Sequence, residues 1–344
     1  MSTEYDLKPI LAKVANGEKL NEEQAEQAFD VLMSGQATPS QMGAFLMALR
    51  LRGETVDEIT GAARVMRSKA TGIIAPPNAV DTCGTGGDGS GTFNISTGAA
   101  IVAAACGAIV AKHGNRAASS KSGSADVLLA LGVNLDADMA LLEKALKEIN
   151  LCFMMATRHH SAVRHVMPTR VEMGTRTIFN LLGPLANPAK TKRQVMGVFA
   201  REWVEPIANV LNRLGSEHAW VVYGHSGLDE ISTTGPTFVA EVKKGKVTTF
   251  EINPEDYGLE IVTLDALKGG DAQTNAQAIL DLLAGKKSAY RDIVLLNAAA
   301  ALVVTDIATD LADGIAKARV AIDSGKAAET LQALVRISNQ GTAA

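Results

Sequence analysis

The sequence has little of what marks secreted, membrane-spanning or nucleic-acid-binding proteins. Its 344 residues include three cysteines, none in a Cys-x-x-Cys spacing, which indicates reduced thiols and argues against a disulfide framework. The longest uncharged apolar run, residues 98–111, is too short to span a bilayer, and the first residues show no signal-peptide pattern. A formal net charge of −4 offers no general attraction to nucleic acid or membranes. We therefore expect a cytoplasmic protein whose partners are small molecules, with no nucleic acid and no membrane.

What the chain does contain is two successive patterns of secondary structure. The first part predicts helices, with capping boxes at Asn21 and Thr55 and a Thr38-Pro39 start. From Ala79 onward, short apolar strands alternate with helix-like segments, as in a parallel sheet; they are AVDTC, AIVAK, LCFMM, HAWVVYG and DIVLL. TFVAEV and VTTFEI predict an antiparallel hairpin at the sheet edge. The fold class is therefore α/β, with a small N-terminal all-helical domain plus a larger domain with a mostly parallel central sheet flanked by helices.

A glycine-rich segment follows the first predicted strand. Residues 81–94, DTCGTGGDGSGTFN, contain five glycines, which let main-chain N–H groups surround an anion. The pattern G-x-G-x-x-G at Gly84, Gly86 and Gly89 does not fit a dinucleotide-binding loop, because a further turn follows it where a helix is required. A P-loop is excluded because Gly89 is followed by Ser90 and Gly91, where that motif has Lys and then Ser or Thr. We interpret the segment as another kind of phosphate-binding loop, with a flexible linker as the weaker alternative.

Two polar segments complete a predicted polyanion site. Asn94, Ser96 and Thr97 precede a helix-like run, so we expect their side chains to cap a helix whose N-terminus faces an anion. Residues 112–116, KHGNR, follow the next strand and lead into the small polar run of residues 117–124. Three such loops at one edge of a sheet predict a ligand with more than one phosphate.

Several long motifs resemble those of the anthranilate phosphoribosyltransferases: CGTGGDG, NISTG, KHGNRAASSKSGSADVLLALG and RTIFNLLGPLANP. The resemblance covers nearly the whole chain. It implies transfer of a phosphoribosyl group from phosphoribosyl pyrophosphate to the amino nitrogen of anthranilate, with Mg²⁺, in tryptophan biosynthesis. It also implies a homodimer through the helical domain. Pyrimidine nucleoside phosphorylases share the architecture but differ after the Lys-His pair, and a nucleic-acid-binding, non-enzymatic paralogue is disfavoured by the acidic balance.

The resemblance also implies a division of the chain and a set of site residues. The helical domain comprises residues 1–75, to which residues 169–190 return, and the α/β donor-binding domain comprises residues 76–168 and 191–344. The implied donor-binding residues are Gly84, Thr85, Gly86, Gly87, Asp88, Thr92, Asn94, Ser96, Thr97, Lys112 and Ser124. The implied acceptor-binding residues are Gly84, His113, Asn115, Arg170, Gly183 and Pro184. The implied metal ligands are Ser96, Asp229 and Glu230. No residue is assigned as a general base.

Two charged segments leave alternatives open. From the residues alone, Asp229-Glu230 can be a solvated surface turn, as such pairs usually are. It can equally be a magnesium site, since Mg²⁺ binds carboxylate oxygens. Adjacent His159 and His160, without Glu or Cys at ligand spacing, do not favour zinc. The chain departs from the family pattern around the histidine pair, with Arg158 before it and Ser161 after it, where proline is common. The family resemblance therefore does not define the entrance to the acceptor pocket.

Overall fold

The computed structural model describes residues 6–117 and 121–341, so the middle of the polar run at 117–124 and both chain ends lie outside the described residues. Four helices form the first part, here called the helical unit: α1 Lys8–Ala15, α2 Glu22–Met33, α3 Pro39–Arg52 and α4 Val56–Ser68. Capping boxes begin α2, α3 and α4 at Asn21, Thr38 and Thr55. These three predicted helix starts are confirmed.

The remaining helices lie between the strands and after the last of them. They are α5 Ile95–Ala105, α6 Ser124–Ala130, α7 Met139–Ile149, α8 Ala156–His159, α9 Met167–Met173, α10 Phe179–Leu185, α11 Val204–Arg213, α12 Ala272–Leu283, α13 Ala289–Val304, α14 Leu311–Asp323 and α15 Lys326–Ser338. The strands are β1 Val80–Gly84, β2 Val110–Gly114, β3 Leu151–Met155, β4 Arg193–Gly197, β5 His218–Gly224, β6 Thr237–Lys243 and β7 Lys246–Ile252.

In the described part of the chain the strands form one seven-stranded sheet, ordered β3-β2-β1-β4-β5-β6-β7. The first five strands in that order run parallel, and β6 and β7 add the predicted antiparallel hairpin. The predicted fold class is thereby confirmed.

One strand assignment from the sequence is wrong, and one strand was not predicted. The apolar DIVLL, residues 292–296, lies inside α13, which begins at a Ser288 cap and is buried on nearly every side. A helix that is buried on all sides lacks the periodic pattern of polar residues that marks an exposed face. A short apolar run within such a helix therefore cannot be distinguished from a buried strand by its sequence. Conversely β4, with the sequence RQVMG, carries too few apolar residues to be recognised.

Side chains alternate between the two faces of the sheet and join two hydrophobic cores. Val195 and Trp220 belong to the core that contains α5 and α13, whereas Met196 and Val221 belong to the core that contains the helical unit and α11. Helices α9 and α10 contact α3 and α4, respectively. The proposed domain boundaries stay a prediction. Within the described residues, no helix has the length and apolar character needed to cross a bilayer.

Candidate active site

The glycine loop, residues 85–94, leaves the carboxyl end of β1. Positive φ angles occur at Gly86 (64°), Gly87 (71°), Gly89 (73°) and Gly91 (62°). Only glycine adopts this region without steric cost, which explains the composition of the loop. The carboxyl ends of parallel strands meet at one edge, so the loop lies beside the segments that follow β2 and β5.

A distant segment holds the glycine loop in place. The bonds between the two are Phe93 N to the Leu267 carbonyl at 3.0 Å, Gly269 N to the Gly91 carbonyl at 2.9 Å, and Lys268 Nζ to the Ser90 carbonyl at 2.5 Å. Sequence reasoning missed residues 267–269, because nothing in the local sequence marks a segment whose partner lies far away along the chain.

The carboxylate pair lies directly after β5 and reaches the glycine loop and α5. Asp229 Oδ2 accepts a hydrogen bond from Gly86 N at 2.7 Å, and Glu230 Oε1 accepts one from Ser96 N at 3.1 Å. Both residues are half-buried. The alternative of a solvated surface turn is therefore wrong, since the pair is built into the site.

Burial opposes ionisation of this pair. Desolvation, together with the neighbouring Asp88 charge, raises the pKa of Asp229 to about 7. Desolvation and the Asp229 charge raise the pKa of Glu230 to about 8. A bound cation would relieve this repulsion, and carboxylate oxygens are ligands that Mg²⁺ prefers, so the donor set fits magnesium. Among residues 6–117 and 121–341 no group of three or more His, Cys, Asp or Glu is placed to hold a metal, so further ligands must come from elsewhere.

Two paired glycines make room for the carboxylate pair. Gly84 and Gly197 are register partners at the carboxyl ends of β1 and β4. A Cβ atom at Gly84 would overlap the Asp229 carboxyl group, and one at Gly197 would overlap the Asp229 main chain. Because these two strand ends carry no side chains, Asp229 has the space that it occupies.

The N-terminus of α5 differs from the sequence prediction. Asn94 does not cap the helix through its side chain, and Ser96 and Thr97 lie within the first turn. The Glu230 carboxylate instead accepts a hydrogen bond from the Ser96 N–H, as the side chain of a helix-capping residue would. The hydroxyl oxygens of Thr85 and Thr97 are buried and have no hydrogen-bond partner within the residues that the structure covers. Buried polar atoms without a partner are costly, so these two hydroxyls are candidates for contact with a ligand.

Lys112 lies beneath this helix start. It is 3% exposed, and its ammonium group donates to the Thr82 carbonyl and, at 3.2 Å, to Ser96 Oγ. Of the other predicted donor residues, Thr92 Oγ1 lies 3.3 Å from Ser90 Oγ. Ser124 begins α6.

The segment after β2 carries predicted acceptor residues. Asn115 is exposed, and its carbonyl accepts a bond from Ser124 Oγ at 3.4 Å. The His113 ring is buried beside the main chain of Gly183, which α10 supplies together with Pro184. The structure therefore brings His113 to α10, as the family resemblance implies.

Arg170 projects from α9 toward α10. Its guanidinium carbon lies 5.2 Å from the ring centroid of Phe179, and burial lowers its pKa. In the part of the chain that the structure describes, the guanidinium has no hydrogen-bonding or ion-pair partner. Arg170 is thus a partly desolvated cation with unused donors.

His160 lies against His113, with ring centroids 5.0 Å apart. Each ring has a main-chain hydrogen-bonding neighbour in α10 or directly after it, Gly183 for His113 and Ala186 for His160. Desolvation and the neighbouring histidines lower the pKa of both, that of His160 to about 4. Both rings are neutral at pH 7. Sequence reasoning weighed His160 only as a zinc ligand and missed this contact.

A second missed residue links the helical unit to the glycine loop. Arg176, between α9 and α10, donates to the Gly87 carbonyl, and its guanidinium carbon lies 4.5 Å from the Phe199 ring centroid. Arg50 of α3 donates to the Arg176 carbonyl at 2.6 Å. The glycine loop is therefore in contact with both parts of the molecule.

This fold and site define a glycosyl transferase. Residues 8–70 match the model of the glycosyl transferase family helical bundle domain, and residues 76–328 match that of its a/b domain. The chain is 66% identical over 334 residues to the anthranilate phosphoribosyltransferase of Azospirillum brasilense, covering 97% of this chain and 94% of that protein. It is 62% identical over 336 residues to the enzyme of the same name from Rhodospirillum rubrum, covering 98% of this chain and 97% of that protein.

Solved structures agree with these relatives. The anthranilate phosphoribosyltransferase of Thermus thermophilus superposes with a TM-score of 0.91 at 44% identity, covering 96% of this chain and 99% of that one. The Saccharomyces cerevisiae enzyme in complex with PRPP and Mg superposes with a TM-score of 0.88 at 28% identity, covering 97% of this chain and 98% of that one. The chain belongs to the anthranilate phosphoribosyltransferase family, and the resemblance read from its motifs is confirmed.

Proposed function

We propose that the cleft at the carboxyl ends of β1, β2 and β5 transfers the phosphoribosyl group of 5-phosphoribosyl 1-pyrophosphate to the amino nitrogen of anthranilate. The products are N-(5-phosphoribosyl)anthranilate and pyrophosphate, and the pathway is tryptophan biosynthesis. The observation that carries the proposal is the direct contact of a glycine loop with a half-buried carboxylate pair, Gly86 N to Asp229 Oδ2 at 2.7 Å. Yeast relatives bind PRPP with Mg in one structure and 4-fluoroanthranilate in another, which supports both substrates.

The donor binds at the glycine loop and the start of α5. Main-chain N–H groups at positive-φ glycines and the positive end of the helix face its phosphates, as do the unpartnered hydroxyls of Thr85 and Thr97. Lys112 adds a fixed positive charge beneath Ser96. These groups hold the ribose phosphates so that the anomeric carbon faces the acceptor.

Asp229, Glu230 and Ser96 would hold Mg²⁺. Bound magnesium would neutralise the negative charge that develops on the departing pyrophosphate. The protein would contribute two carboxylates and one hydroxyl, a set that suits Mg²⁺ because this ion usually also keeps phosphate oxygens and water as ligands. Gly86 N–H and the helix start place the carboxylates before the donor arrives.

The acceptor binds between α10 and the segment after β2. Arg170 pairs with the anthranilate carboxylate, because its planar fork has free donors and lies partly out of water. His113, Asn115, Gly183 and Pro184 shape the pocket for the aromatic ring. The aromatic amine is a neutral nucleophile at pH 7, so the reaction requires no strong base before attack.

The same proposal covers the organisation of the protein. We infer a helical domain of residues 1–75 with 169–190, an α/β domain of residues 76–168 and 191–344, and a homodimer through the former. Support for the dimer comes from exposed apolar side chains on the adjacent helices α3 and α9, namely Leu51, Met167 and Val171. All three cysteines are unpaired, which supports a cytoplasmic location.

The test is a turnover assay that follows the loss of anthranilate fluorescence with and without phosphoribosyl pyrophosphate, at several magnesium concentrations. We expect loss only when donor and magnesium are both present. A parallel assay with thymidine or uridine and inorganic phosphate examines the nucleoside phosphorylase reaction. Base release there, with no anthranilate consumption, would overturn the proposal.

A further inference from the structure

A buried asparagine behind the glycine loop has no role in the chemistry described so far. Asn275 lies on α12, is 2% exposed, and is surrounded by apolar residues of the same helix that join the core. Its Oδ1 accepts a hydrogen bond from Gly270 N at 2.8 Å, and its Nδ2 donates to Asn94 Oδ1 at 2.9 Å. Both ends of its side-chain amide are therefore used.

These contacts fix which way the amides face. The main-chain N–H of Gly270 can only donate, so the oxygen of Asn275 must face it and the nitrogen must face Asn94. Asn94 then has to present its oxygen to Asn275, which turns its own Nδ2 toward the segment between β2 and α6. There Nδ2 donates to the Ser122 carbonyl at 3.3 Å.

The close approach of the two elements is built into the sequence. A Cβ atom at Gly269 would come within 2.7 Å of Asn275 Oδ1 and 2.8 Å of the Thr92 carbonyl. Only glycine at this position allows α12 to lie so near the glycine loop. The hydrogen-bonded chain from Gly270 to Ser122 thus ties α12 to both phosphate-facing segments.

We propose that Asn275 is a positioning residue, which holds the Asn94 amide with its N–H groups toward the donor's phosphates. The inference rests on the proposed function, because it takes the donor to bind at the glycine loop and α5. The Asn94 nitrogen carries two hydrogens, and its bond to Ser122 uses one. The other is available to a phosphate oxygen. With the amide reversed, an oxygen would face the phosphates and repel them.

The test uses Asn275→Asp, which keeps an acceptor for Gly270 but replaces the donor that faces Asn94. A carboxylate there attracts the nitrogen of Asn94 and reverses its amide. We expect the Michaelis constant for phosphoribosyl pyrophosphate to rise about tenfold or more. The Michaelis constant for anthranilate should change less than about twofold, and calorimetry should show the same loss of donor affinity.

Three further variants complete the design. Asn94→Ala combined with Asn275→Asp should cost no more donor affinity than Asn94→Ala alone, because the reversed amide is then absent. Asn212→Asp, on α11, adds the same charge elsewhere and should leave both constants unchanged. Asn275→Ser loses the bonds without adding charge and replaces the aspartate variant if that variant does not fold; it should weaken donor binding in the same direction.

Equal rises in both Michaelis constants with a lowered melting temperature would overturn the inference, since they indicate a purely structural role. An undiminished effect of Asn275→Asp in the Asn94→Ala background would also overturn it. Failure of the proposed function looks different, because the unaltered protein would then show no anthranilate turnover.

Discussion

The two sides of the site are held in opposite ways. On the donor side, the glycine loop, the carboxylate pair and the start of α5 are joined by hydrogen bonds such as Gly86 to Asp229 and Ser96 to Glu230. On the predicted acceptor side, the Arg170 guanidinium has no such partner among the described residues and packs only against the Phe179 ring. Apart from the Thr85 and Thr97 hydroxyls, the described part of the chain itself satisfies the polar groups of the predicted donor side, whereas it leaves the cation of the predicted acceptor side unpaired.

Burial acts on the two sides with opposite sign. It raises the pKa of Asp229 and Glu230 and lowers the pKa of His113, His160 and Arg170. Each shift favours the neutral form of its group. The comparison teaches that burial disfavours the charged forms on both sides of the free site. Under the proposed function, a metal-bound polyanion would restore the charge of the carboxylates, and the acceptor's carboxylate would restore that of Arg170.

The largest expected effect is on the donor side, from Asp229→Asn combined with Glu230→Gln. The amide oxygens can still accept from Gly86 and Ser96, so the loop should keep its shape while the metal loses its charged ligands. We expect turnover to fall by about 100-fold or more. Steady-state rates across a magnesium titration measure this. Activity with an unchanged magnesium dependence would contradict the metal assignment, and the double alanine variant shows the added cost of losing both acceptors.

Gly86→Val breaks the preorganised loop itself. The residue has φ of 64°, where a β-branched side chain is strained by about 1–3 kcal/mol, and its N–H anchors Asp229. We expect calorimetry to show donor affinity reduced by roughly tenfold or more. Gly17→Val is the matched control, since Gly17 has φ of 78° in the turn after α1, far along the chain from the site. Ordinary donor binding by Gly86→Val would count against the loop.

Arg170→Ala tests whether the unpartnered cation serves the acceptor. Losing a charge-assisted hydrogen bond costs about 1.5–3 kcal/mol, roughly ten- to more than hundredfold in the Michaelis constant for anthranilate. The donor constant should change little, and Arg170→Lys should recover only part of the loss. Arg164→Ala, at an exposed position, is the control. Equal changes for both substrates with a lower melting temperature would instead make Arg170 a structural residue.

The smallest effect concerns acid stability on the acceptor side. The folded-state pKa of His160, about 4, lies below the ordinary value of 6.5. The unfolded chain therefore binds more protons between these values, and stability is full above pH 6.5 and is lost as pH falls toward 4. His160→Phe should flatten this part of the melting-temperature profile by a small amount, whereas exposed His225→Gln should not. Identical profiles for all three proteins would contradict the assignment.

Local patterns made much of this predictable, and contacts across the chain made the rest unpredictable. The capping boxes and the glycine loop were readable because each is determined by residues within a few positions of one another. Lys268 and Arg176 were missed because they meet the loop from 178 and 89 residues away. The carboxylate pair was found, but its burial was not, since desolvation depends on what packs over the turn.

The paired glycines at 84 and 197 carry a consequence for how this gene tolerates change. Every missense substitution of a glycine codon adds at least a Cβ atom, and at these strand ends that atom would overlap Asp229. No conservative replacement exists at either position. In a saturation library scored by growth without tryptophan, both positions should be as intolerant of substitution as Asp229 and Glu230. Tolerated sequence variation in this part of the site therefore has to occur at the carboxylates and not at the two glycines beside them.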